Sequence, residues 1–218
     1  MTEVGEVAPF EFAAPLTVCI DFKNPFAYLA VEPTRALEAR LGFAADWIPL
    51  LAPAVSPPKP ASPADDRGAR HRRIRAEYFE RDLARYAASR GVDLGDICRP
   101  LDVETASAGL AWLRGRDRAQ AGEYVETMYE RFWLERATSA DVGDVAAALA
   151  AVGADGERFM AEFAARGATA LAELQARLAA AGLFSVPSYV VEGDVFVGRQ
   201  HLPMVEWILT GRRGRLPI

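Results

Sequence analysis

The chain has 218 residues, 51% of them hydrophobic, enough for one sizeable domain or a core domain with a large insertion, without metal or disulfide staples. Its formal charge of −5 excludes nucleic acid as the main partner, because phosphate binding needs a net basic face. No stretch approaches the roughly 18 uninterrupted apolar residues of a membrane span, so no membrane partner is expected and the protein reads as cytoplasmic.

Residues 1–15 are acidic and lack the apolar core of a secretory signal; they read as a flexible leader. "LTVCI" (Leu16 to Ile20) has the length and β-rich texture of a buried strand. "PFAYLAVEPTRALEARLG" follows as a helix, with Tyr28, Leu29, Leu37 and Leu41 apolar, Pro33 a kink and Gly42 a stop. "FAADWIPLL" reads as a second strand. A strand, helix and strand of these lengths form a βαβ unit with parallel strands and a right-handed crossover.

The proline-rich connection from Pro49 to Pro63 is expected to be irregular. Beyond it the pattern is helical to about Arg166. The first helix of this block places Ile74, Tyr78, Leu83 and Tyr86 near one face and ends on Gly91. Its start, "RGARHRRIR", carries Arg67, Arg70, His71, Arg72, Arg73 and Arg75. That run reads first as a solvated helix start balanced by Glu77, Glu80 and Asp82, and otherwise suits an acidic substrate, an anionic conjugate or a partner subunit. "SADVGDVAAALAAVG" opens on Ser139 as N-cap and closes on Gly153. Two further helices, "DGERFMAEFAARG" and "ATALAELQARLAAAG", meet at Gly167. The texture then changes: Ser188 to Glu192 pairs with Val195 to Val197 across the turn "EGD", and a final helix runs through Val205, Trp207, Ile208 and Leu209.

Two local features stand out. In "DFKNPFAY", Asn24 suits an N-cap and Pro25 the first helical position, which puts Asn24 where backbone donors and the helix dipole favour an anion. In "SVPS", Pro187 begins a strand, one of the few places that tolerate it, and Val186–Pro187 is a candidate cis peptide. Cys19 and Cys98 are far apart and in no metal-binding or redox spacing, so no metal is expected.

"DFKNPFAYLA", "AEYFERDLARYAASRGVDL", "YERFWLERATSADV" and "GLFSVPSYVVEGDVFVGRQHL" together resemble the family of 2-hydroxychromene-2-carboxylate isomerase, kappa-class glutathione transferases and disulfide oxidoreductase A proteins, collinearly from Leu16 to Thr210. The resemblance implies an α/β, thioredoxin-like fold (βαβ…ββα) with a large all-helical insertion. The domains expected are a discontinuous thioredoxin-like one (16–60 and 167–212) and a helical one (61–166). The isomerase branch is the nearer, which implies a glutathione-dependent reaction on a small aromatic or unsaturated acid, and a homodimer.

In that family the position of Asn24 carries the active residue, a Ser or the first Cys of C-P-x-C. Here the motif is N-P-F-A, so Asn24 and Ala27 replace both cysteines and no dithiol cycle operates at the site. Asn24 cannot be a nucleophile, but its amide N–H is able to donate to a thiolate. Val186 and Pro187 match the segment whose backbone binds the cysteinyl unit of glutathione. Gly198, Arg199, Gln200 and His201 match the segment that holds its γ-glutamyl end, with Gln200 in place of an acidic residue. Phe26, Tyr78 and Lys59 are the substrate-side candidates. The competing reading is a thioredoxin-fold binding or accessory protein that has lost the chemistry; a third is a reaction with a thiol lacking a γ-glutamyl end.

Overall fold

The computed structural model describes residues 10–12, 14–57, 60, 62, 66–114 and 116–217. It divides into two compact units, one made of the residues up to Ala52 with those from Leu101 onward, the other Pro53–Pro100. The sequence expectation gave the helical insertion the range 61–166. In the structure the helices between Glu104 and Ala180 share a compact unit with the sheet, and the second unit holds the helix Arg67–Ser89.

The larger unit is built on four short strands, β1 (Thr17–Ile20), β2 (Asp46–Pro49), β3 (Ser188–Val191) and β4 (Asp194–Val197), in the order β2-β1-β3-β4. β1 and β2 are parallel, joined through α1 (Pro25–Leu41), while β1–β3 and β3–β4 are antiparallel. These are the expected βαβ and ββα halves. β1, β2 and β3 are buried along their whole length, the polar Thr17, Asp46 and Ser188 included. α3 (Glu104–Leu113) and α4 (Arg118–Tyr129) pack on β2, and α7 (Leu202–Leu209) on β3. α5 (Val142–Ala151) and α6 (Gly156–Ala180) complete the unit.

Two buried carboxylates tie helices to the sheet. Glu38 of α1, 2% exposed, accepts from the Ala45 N–H at 2.6 Å and the Trp47 indole at 3.2 Å and pairs with Arg35 at 2.8 Å. Asp46, 3% exposed, takes a bidentate grip from Arg114, with Nε 3.1 Å from both oxygens and Nη2 at 2.9 Å. Such buried charges hold only because each is paired and hydrogen-bonded.

Several local expectations change. α1 runs unbroken through Pro33 and ends at Gly42, which adopts φ +73° and gives its N–H to the Glu38 carbonyl. α5 is capped by Asp141, not Ser139: Asp141 accepts from the Asp144 N–H at 2.8 Å, and Asp144 returns a bond to the Asp141 N–H at 3.1 Å. The two helices expected to meet at Gly167 are one, α6. Gly167 is there to admit the Phe163 ring, which a Cβ would strike.

In the second unit α2 (Arg67–Ser89) starts at Asp66, whose carboxylate accepts from the Ala69 N–H at 2.6 Å. Ile74 and Tyr78 are 53% and 52% exposed, whereas Leu83 and Ala87 are buried. The single apolar face expected here does not form, since Leu83 lies about 140° around a helix from Tyr78. Within the basic run Arg73 approaches Glu77 at 3.8 Å and Arg75 sits over the Phe79 ring at 5.2 Å.

Candidate functional site

The β1–α1 turn puts Asn24 at the N-cap of α1 in extended geometry (φ −97°, ψ 115°), followed by Pro25 at the first helical position. The Asn24 backbone N–H donates to the Asp21 carbonyl at 2.9 Å, closing the turn. Its side-chain Oδ1 accepts from the N–H groups of Phe26 at 3.0 Å and Ala27 at 3.1 Å. Pro25 has no N–H to leave unpaired, and the two donors that follow it are both taken by Asn24 itself. With the oxygen turned inward, Nδ2 and its two hydrogens form the outward end of the side chain.

Asp21 is fully buried directly behind this turn. Its Oδ1 accepts from the Lys23 N–H at 3.1 Å; its Oδ2 accepts from the Ala52 N–H at 2.7 Å and pairs with the Lys23 ammonium at 2.8 Å. Asp21 and Lys23 thus tie the turn to the segment after β2.

Sequence reasoning missed the aromatic support of the turn. The Tyr129 hydroxyl donates to the Asp21 carbonyl and the Trp133 indole N–H to the Phe22 carbonyl, each at 2.8 Å. Tyr129 ends α4 and Trp133 lies in the π-helical turn Glu130–Leu134 that continues it. Tyr28 stacks on both rings, with centroids 5.4 Å and 5.9 Å away. Phe132 and Trp133 are core residues at 0% exposure. The available signal was the Tyr-x-x-x-Trp spacing in "YERFW", which puts two side-chain donors on one helical face.

Val186–Pro187 is a cis peptide. The β1–β3 register pairs Cys19 with Ser188, so Pro187 leads into β3 at the end of β1 from which the turn emerges. Gly198 N–H donates to the Pro187 carbonyl at 2.8 Å, so the end of β4 reaches the same edge. Gly198 itself adopts φ +102°, a conformation that favours glycine. Arg199–His201 form a 3-10 turn. Gln200 is exposed and folds back, its Nε2 donating to the Val197 carbonyl at 3.1 Å. His201 lies against Phe196 with ring centroids 5.8 Å apart. Arg199 is half-buried; its charge opposes the burial that pushes the Tyr189 phenol up to about 12.

Of the substrate-side candidates, Phe26 is partly exposed on the first turn of α1, beside Asn24. Tyr78 belongs to the second unit and packs edge-on against Phe79. Lys59 lies outside the described residues. Burial pushes the Cys19 thiol up to about 12, with Asp46 adding to the effect and Arg114 opposing it. Cys98 is also raised, by burial and then by Asp96 and Glu80. A cavity of about 610 Å³ opens between α3 and α6, walled by Trp112, Phe159 and Phe163 with Arg116, Glu162 and Arg166 among its polar lining. Asn24, Val186 and Pro187 do not line it.

The family description that matches is the DSBA-like thioredoxin domain, over residues 16–209. No curated protein matches the chain. Among solved structures, a 2-hydroxychromene-2-carboxylate isomerase superposes with a TM-score of 0.64 at 21% identity, covering 90% of this chain and 94% of that one. A probable DsbA oxidoreductase from Streptomyces coelicolor gives 0.61 at 20% identity, covering 93% and 92%. The cytosolic disulfide reductase DsbM from Pseudomonas aeruginosa, solved with GSH, gives 0.56 at 16% identity, covering 90% and 98%. At these identities the likeness is one of fold.

Proposed function

This chain belongs to the DSBA-like thioredoxin domain family, and from that premise we propose that it is a thiol-dependent isomerase. It would hold the thiolate of glutathione or a related thiol at Asn24 and act on a small aromatic or unsaturated acid. One observation carries the reading. The Asn24 oxygen is committed to the Phe26 and Ala27 N–H groups, so the outward end of the residue is a pure hydrogen-bond donor at a helix start. A donor there stabilises an anion and can neither attack nor abstract a proton. The work of the site is then to keep a bound thiol ionised for addition to the substrate, the role the resemblance gives to a Ser hydroxyl.

The residues around it divide the remaining tasks. Val186 supplies backbone contacts to the cysteinyl unit, and the Gly198 to His201 segment meets the far end of the thiol, with Phe26 on the substrate side. Neither native thiol is suited to a redox cycle, because burial raises both and the motif holds no cysteine pair. A homodimer in the cytoplasm is the working arrangement this reading adopts, with a small-molecule substrate as its partner.

Calorimetric titration with glutathione, alongside Gln200→Asp, tests the proposal. An aspartate cannot donate to the Val197 carbonyl as Gln200 does, and it offers a carboxylate to the γ-glutamyl ammonium. Tighter binding by the variant supports glutathione at this edge. Absence of binding by both proteins removes glutathione from the reading. The second reading, a binding or accessory protein, draws on the same side chain: Gln200 satisfies itself on its own strand end rather than facing a ligand. It predicts no glutathione-dependent turnover and no gain from Gln200→Asp.

A further inference from the structure

A helix start favours an anion only if the negative ends of nearby groups are kept away from it. Such ends near Asn24 include the Asp21 carboxylate and the carbonyls of Asp21 and Phe22. The carboxylate is neutralised inward by the Lys23 ammonium and two backbone N–H groups. The Asp21 carbonyl accepts both the Asn24 N–H at 2.9 Å and the Tyr129 hydroxyl at 2.8 Å, and the Phe22 carbonyl accepts the Trp133 indole N–H at 2.8 Å; both side-chain donors are fully or almost fully buried. Nothing in ordinary helix or strand pairing requires these two bonds, since both carbonyls belong to the turn. Both donors come from the end of α4 and the π-helical turn after it, a geometry found often at functional sites.

We propose that Tyr129 and Trp133 are positioning residues for the Asn24 site. Their donors offset the negative ends of the Asp21 and Phe22 carbonyls, the first of which lies 2.9 Å from the Asn24 nitrogen, and so preserve the positive potential at residue 24. Neither touches the reacting atoms; they act through the turn. The Tyr28 ring, stacked on both, fixes the pair against the second turn of α1. This inference rests on the reading that Asn24 faces an anion.

The experiment uses a thiol as a voltmeter and no ligand. Asn24→Cys places a titratable sulfur at the N-cap, and its ionisation is followed by ultraviolet thiolate absorbance across pH. Cys19 and Cys98 are both raised, so neither interferes below the ordinary thiol range. In this background Tyr129→Phe removes one hydroxyl and leaves the ring stack, and Trp133→Phe removes the indole donor. Tyr124→Phe is the control: its hydroxyl is equally buried and donates to the Ala106 carbonyl at 2.9 Å, in α3 rather than in the turn.

The new thiol is expected to titrate below about 8.5. Tyr129→Phe and Trp133→Phe are each expected to raise it by about one pH unit, the scale of a helix-terminus interaction, while Tyr124→Phe leaves it in place. A merely structural role would lower the melting temperature in all three and move the titration in none. An unmoved titration in Tyr129→Phe, or an equal shift in Tyr124→Phe, overturns the positioning role alone. A starting thiol at or above about 8.5 sinks the anion site itself, and the positioning role with it.

Discussion

Asn24→Asp separates the two things Asn24 does. The aspartate keeps an oxygen where Oδ1 accepts from Phe26 at 3.0 Å and Ala27 at 3.1 Å, so the cap survives. A carboxylate at a helix start adds about 0.3–1 kcal/mol of stability; the Asp21 carboxylate is already neutralised by Lys23 and offers little opposition. Folding stability by urea titration should be unchanged or higher. The outward donor, however, is lost, and a negative charge now faces the bound thiolate. A hydrogen bond to a charged group is worth about 1.5–3 kcal/mol, so thiol binding by calorimetry should weaken at least about ten- to hundredfold. Asn24→Ala should show the complementary pattern, losing about 1 kcal/mol of stability with the cap and the same donor. If Asn24→Asp binds glutathione as tightly as the parent, the outward amide is not the thiolate contact and the proposed role of Asn24 is wrong.

Arg114→Ala strands the buried Asp46 carboxylate and should cost roughly 3–5 kcal/mol, read as a fall in the urea midpoint. Gly167→Ala sets a helix-propensity gain of about 1 kcal/mol against a clash with the Phe163 ring of about 1–3 kcal/mol; a net loss is expected in a thermal melt. Alkaline stability follows from Cys19 and Tyr189, raised from 9.0 and 10.0 to about 12 each. In both, the unfolded chain gives up its proton first, so their contribution is complete below pH 9 and falls as pH rises toward 12. At its steepest each group removes about 1.4 kcal/mol per pH unit, and Cys19→Ala should flatten the first part of that fall.

Much of the fold was legible because its signals are local. "LTVCI" is too short and β-rich for a helix, Asn24-Pro25 marks a helix start, and Gly42 stops the helix with a left-handed residue. The hairpin was legible from the "EGD" turn, where Glu192 and Gly193 adopt φ 51° and 86°. What escaped depends on distant neighbours. Gly167 looks like a break until Phe163 is seen lying over it. Ile74 and Tyr78 look like core until the turn of the helix sets them away from Leu83.

The site was half legible in the same sense. The cap chemistry of Asn24 follows from its residue type and its proline, but the direction of its oxygen, and hence the donor left facing outward, needs the geometry of Phe26 and Ala27. That Tyr129 and Trp133 serve the turn rather than simply fill the core needs contacts across more than 100 residues of sequence, since the hydroxyl of one reaches 108 positions back to Asp21 and the indole of the other 111 back to Phe22. Gln200 lies over Gly198 with its Nε2 on the Val197 carbonyl, a placement that residue type alone does not give.

The proposed function requires the site to hold a thiol in its ionised form. The most direct measurement is the ultraviolet thiolate absorbance of glutathione at neutral pH as the protein is titrated in. The account predicts a rise that saturates with protein and is absent with Asn24→Asp. No thiolate signal at an excess of folded protein, or an equal signal with the variant, would contradict it.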